Sequence, residues 1–115
     1  MTPSNSPPPS SPATLDLEAE RLARVREILA AHVPGVEVRA FGSRVTGTSV
    51  PTSDLDLVLV APERLSLRAL RTLEEAFEDS DLPMRVDVVE WQRLSSEFRA
   101  AIDRASVVVQ AGASS

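Results

Sequence analysis

The sequence predicts an α/β (α+β) domain, a small mixed β-sheet flanked by helices. Two observations carry this: an apolar run, Leu55-Asp56-Leu57-Val58-Leu59-Val60, that reads as a central strand, and helix-spaced apolar residues on either side of it. The order helix, strand, strand, helix, strand, helix points to helices packed on a mixed sheet rather than to a doubly wound fold.

Residues 1–13 form a Pro/Ser-rich segment with little to bury, so a disordered tail is expected ahead of a domain over 14–111. Thr14 suits a helix N-cap, with Asp16 and Glu18 in the favoured first turn. Leu15, Leu22, Val25, Ile28 and Leu29 share one helical face, and Pro34-Gly35 stops the helix. Val36 to Phe41 reads as a short strand ended by Gly42. The central strand follows and is ended by Pro62. Ser66 to Phe77 carries Leu67, Leu70, Leu73 and Phe77 at helical spacing. Val86 to Val89 is a third strand, and Ser95 to Arg104 a third helix expected to bury Phe98, Ala101 and Ile102. Val107-Val108-Val109 can add an edge strand.

Composition narrows the chemistry. The chain has 115 residues, 43% hydrophobic and 25% charged, which suits one soluble domain with a real core. Absence of cysteine excludes disulfides and thiolate-held zinc or iron–sulfur centres, and a single histidine, His32, excludes a histidine-rich site. A metal would have to be held by oxygen, which means Mg²⁺, Mn²⁺ or Ca²⁺. A net charge of −5 without a basic run argues against direct nucleic-acid binding. No segment is long enough to span a bilayer and no signal pattern opens the chain, so a cytoplasmic location is expected.

Three features carry the chemistry. Phe41-Gly42-Ser43-Arg44 closes a strand, with Gly47 beyond; amides exposed where a strand turns into a helix make a phosphate cradle, although by itself the signal is weak and most such pairs are plain turns. Ser53-Asp54-Leu55-Asp56 leads into the central strand, where residues two apart share a face and lie about 7 Å apart. Asp54 also reads as an ordinary solvated strand end. Asp56 does not, because it lies inside an apolar run, where an unpaired carboxylate is costly. Asp87 sits within another apolar strand, Arg85 to Val89; taken alone, an ion pair with Arg85 explains it as well as catalysis does. Three carboxylates in one pocket raise one another's pKa values, and divalent cations relieve that conflict.

Gly42-Ser43, a ten-residue gap, Asp54-x-Asp56 and the separate strand acid Asp87 resemble the nucleotidyltransferase superfamily that includes DNA polymerase beta. The stretch FGSRVTGTSVPTSDLDLVLV is most similar to the MNT-type minimal nucleotidyltransferases, and RVDVVEWQRLSSEFRAAI adds to the likeness. The resemblance implies the nucleotidyltransferase fold, two Mg²⁺ ions, and transfer of a nucleoside monophosphate from ATP. It implies that Gly42 and Ser43 hold triphosphate, that Asp54 and Asp56 bind metal, and that Asp87 completes the site as metal ligand or general base. Arg44 is a candidate phosphate contact, though a loop arginine of this kind is ordinarily solvated. The acceptor implied is a hydroxyl, a tyrosine by family likeness, on a helical HEPN-type toxin. The chain would then be the antitoxin.

Other singled-out residues read as structural. His32 complements the end of a helix dipole, and Trp91 packs beneath the sheet. Two further functional readings stand beside the enzyme. One is a binding module that neutralises its partner by occlusion. The other is the nucleotide-binding half of an antibiotic-modifying enzyme, which is weakened because no acceptor domain follows in the sequence.

Overall fold

The computed structural model describes residues 15–47, 50, 53–61 and 65–112. The expected tail, the Thr14 cap and the Pro62 stop lie outside these residues. The elements are α1 (Ala19–His32), β1 (Glu37–Phe41), a one-turn α2 (Ser43–Thr46), β2 (Leu55–Val60), α3 (Leu67–Glu78), β3 (Val86–Glu90), a 3-10 turn (Trp91–Arg93), α4 (Ser96–Arg104) and β4 (Val107–Gln110). The sheet runs β3-β2-β1-β4. β1 is antiparallel to both β2 and β4, while β2 and β3 are parallel, so the sheet is mixed as expected.

Period-two alternation divides the sheet into two chemically different faces. Val38, Ala40, Leu55, Leu57 and Leu59 point one way into the core with Val25, Ile28 and Leu29 of α1 and Leu73 and Phe77 of α3. The intervening residues, Arg39 and Phe41 on β1, Asp56 and Val58 on β2, and Asp87 on β3, point the other way. Here α4 packs against β1: Phe98 meets Phe41 edge-on with centroids 5.7 Å apart, and Asp103 takes Arg39 at 3.2 Å. On the same face Val58 is fully buried, while Asp56 and Asp87 are only partly covered.

Local sequence explains most boundaries. Ser66 and Ser95 cap α3 and α4, each accepting a bond from the amide three residues on, Ala69 and Phe98 respectively, at 3.1 Å. Two expectations need correction. The first helix begins at Ala19, after the extended Glu18, and not near Thr14. The Asp16 carbonyl, which a helix starting there would turn to the amide four residues on, instead accepts from Arg44 Nη1 at 2.8 Å, and the Asp16 amide donates to the Arg44 carbonyl at 2.7 Å. In α4 only Ile102 is buried; Ala101 is exposed and Phe98 is 45% exposed.

Candidate active site

The topology gathers the acids. β2 and β3 pair in parallel with Asp56 directly opposite Asp87, and β1 brings Phe41 opposite Asp56 on the other side. Neighbouring strands lie about 4.8 Å apart, so the two carboxylates leave the same face side by side. Asp54 stands one residue before β2, where the Leu55 amide is held by the Arg85 carbonyl at 2.8 Å. It is exposed and still close enough to be felt: burial first, then the charges of Asp87 and Asp54, push the Asp56 carboxyl above the ordinary aspartate range. The sequence-derived expectation of mutual repulsion is met at the residue inside the apolar run.

Gly42 completes the arrangement. It is the N-cap of α2, at φ 85° and ψ −155°, a region that only glycine occupies comfortably. A Cβ at this position would lie 2.5 Å from Oδ2 of Asp56. The missing side chain therefore keeps open the space directly in front of the half-buried acid. Gly42 also turns its carbonyl inward, accepting from the amides of Val45 and Thr46 at 3.0 and 3.1 Å. Amides at the start of such a turn have no acceptor within the helix, which suits them to phosphate oxygens.

The ion pair considered for Asp87 is present: Arg85 Nε lies 3.0 Å from Oδ1. Among the described residues no three acids or histidines form a ready-made metal cage. The pairing does not bar one, because the Arg85 side chain is 76% exposed and surface pairs contribute only about 0.2–1 kcal/mol. The donor set, three carboxylates and no softer ligand, fits a hard divalent ion.

Arg44 departs from expectation. It is not an exposed loop residue; at 4% exposure it is buried, with its guanidinium on the backbone carbonyls of Ser53 and Asp16. His32 lies in the last turn of α1 as expected. Trp91 opens the 3-10 turn, half-buried, with the Arg99 guanidinium 5.6 Å from its ring centre. Sequence reasoning missed Phe41 and Phe98 as site neighbours. With Thr46 and Ile102 they line a recess of about 310 Å³ bordering Gly42. Phe41 immediately before the Gly-Ser pair was the available signal.

Residues 22–109 match the nucleotidyltransferase domain family. The chain belongs to that family. It is 47% identical over 98 residues, 85% of this chain and 86% of the relative, to the Haemophilus influenzae protein named "Probable protein adenylyltransferase MntA". Among solved structures, a toxin–antitoxin crystallised with AMP-PNP is similar at a TM-score of 0.66 and 22% identity, covering 78% of this chain and 73% of that one. An MNT antitoxin complex with a tri-AMPylated HEPN toxin from Shewanella oneidensis aligns at a TM-score of 0.63 and 19% identity, over 83% of this chain and 73% of that one. At these identities the solved structures establish the shared fold. The family match and the Haemophilus relative bear out the nucleotidyltransferase resemblance, and the chain is an enzyme of that class. Among the described residues no helix is long and apolar enough to cross a membrane.

Proposed function

We propose that this nucleotidyltransferase moves AMP from ATP to a hydroxyl on a partner protein, and that the partner is a helical HEPN-type toxin for which this chain is the antitoxin. The observation that carries the chemistry is the pairing of Asp56 with Asp87 across two parallel strands, facing the space that Gly42 leaves open. The protein acceptor follows from likeness to the Haemophilus relative.

Asp54 and Asp56 would hold the nucleotide's Mg²⁺, and Asp87 would share a second ion with Asp56. Bound there, the metal supplies charge neutralisation for the triphosphate and the departing pyrophosphate. The protein's own residues do the rest. The Gly42–Ser43 turn offers amides to the β- and γ-phosphates and sets the α-phosphorus before the acids. The acceptor hydroxyl oxygen bonds to the α-phosphorus as the α–β anhydride bond breaks and pyrophosphate leaves. Asp87, partly exposed and therefore reachable by an incoming side chain, accepts the hydroxyl proton as general base. Such chemistry belongs in the cytoplasm, where ATP and Mg²⁺ are plentiful.

A second reading, neutralisation by occlusion, draws support from the apolar recess beside Gly42, where a docked partner would cover the site without being modified. Incubating the purified toxin with this protein, ATP and Mg²⁺ and then weighing the toxin separates the two. Transfer predicts a toxin heavier by one or more adenylyl groups. An unmodified toxin, still inhibited in a stable complex, would establish occlusion instead.

A further inference from the structure

Arg44 follows the phosphate turn in sequence, yet its side chain runs back into the protein. Nε and Nη2 both donate to the Ser53 carbonyl, at 3.1 and 2.9 Å, and Nη1 donates to the Asp16 carbonyl at 2.8 Å. The Asp16 amide returns a bond to the Arg44 carbonyl at 2.7 Å. The Ser53 carbonyl belongs to the peptide unit whose nitrogen is that of Asp54. Gripping that oxygen with two N–H groups fixes the peptide plane from which the Asp54 side chain departs. The backbone of Arg44 is itself the second residue of α2, directly after Ser43. One side chain therefore holds the phosphate turn and the first acid of the Asp54-x-Asp56 pair in a common frame.

We propose that Arg44 is a positioning residue: it sets Asp54 for metal binding relative to the Gly42–Ser43 turn and does not contact the triphosphate. The inference rests on the reading of Asp54 as a metal ligand. Arginine suits the task because its planar fork presents several donors in fixed geometry, whereas lysine is a point charge on a flexible stem. An exchange of Arg44 for lysine keeps the charge and loses the two-pronged grip.

The test uses the full chain and its Arg44→Lys variant, with Mn²⁺ as probe. Mn²⁺ binding is followed by the electron spin resonance of the free ion, ATP affinity is measured at saturating Mg²⁺, and both proteins are melted. Loss of an outer-sphere partner typically weakens metal binding about 10- to 100-fold, and a shift of that size is expected in the Mn²⁺ midpoint. ATP affinity at saturating Mg²⁺ should stay close to that of the parent. An unchanged Mn²⁺ midpoint with a lower melting temperature would overturn the proposal and make Arg44 a general structural residue. An unchanged midpoint with weakened ATP binding would overturn it in favour of a phosphate contact. A parent protein that binds no Mn²⁺ would overturn both the proposal and the metal-site reading beneath it, which distinguishes the two failures. Should Arg44→Lys not remain folded, Arg44→Gln, an uncharged side chain that retains an N–H donor, is read by the same outcomes.

Discussion

Asp56→Asn should abolish transfer while leaving the free protein at least as stable as its parent. Metal-assisted charge stabilisation is worth several kcal/mol, so its loss should slow transfer by about a thousandfold or more. Stability should move the other way. The Asp56 carboxyl is raised by burial and by its two acidic neighbours, so its ionised form is the strained one in the folded chain. A carboxylate with a raised folded-state value imposes no penalty while protonated. Its penalty grows as pH climbs from the ordinary aspartate range through its own higher value, and is complete above that value. Asparagine removes that penalty. In metal-free buffer at neutral pH the variant should therefore melt at the same temperature or higher, and the difference should vanish in acid. Mg²⁺ should raise the melting temperature of the parent more than that of the variant. A variant that is folded and fully active would remove Asp56 from the site.

Gly42→Val should weaken ATP binding by at least about tenfold, because the added side chain fills the space through which phosphate approaches. Its Cβ would meet Asp56 Oδ2 at 2.5 Å, so the acid itself must be displaced. The backbone conformation adds a cost of about 1–3 kcal/mol, seen as a lower melting temperature. Gly47 provides the control. It has the same φ of 85°, and a Cβ there would meet nothing within 4 Å. Gly47→Ala should lose about 1 kcal/mol of stability and keep its ATP affinity. Calorimetric titration at saturating Mg²⁺ reads both variants. Equal ATP affinity in Gly42→Val and the parent would reduce the loop to an ordinary turn.

Much of this site is legible in the amino-acid sequence, for a physical reason. Strand alternation is a local, period-two signal, so acids embedded in apolar strands announce themselves, and β2 is legible to its boundaries. That Asp56 and Asp87 face each other requires that the two strands be neighbours and that their register pair these residues, as it does. What is not legible depends on long-range contacts. The partners of Arg44 are backbone carbonyls 9 and 28 residues away, and backbone carbonyls leave no trace in side-chain identity. The same tether accompanies the later start of α1, since the Asp16 carbonyl that an earlier helix would use is taken by the Arg44 guanidinium. The exposure of Phe98 is hidden for a related cause: helical spacing marks an apolar stripe but not the width of the surface waiting beneath it.

In the proposed site, three acids and a phosphate turn meet through a divalent cation. Titrating the protein with ATP in the calorimeter, once with Mg²⁺ and once with the metal removed by a chelator, tests this most directly. Carboxylates and triphosphate repel without a bridging ion, so binding should be strong with Mg²⁺ and at least about a hundredfold weaker without it. Equal affinity in the two titrations would contradict the metal-bridged site.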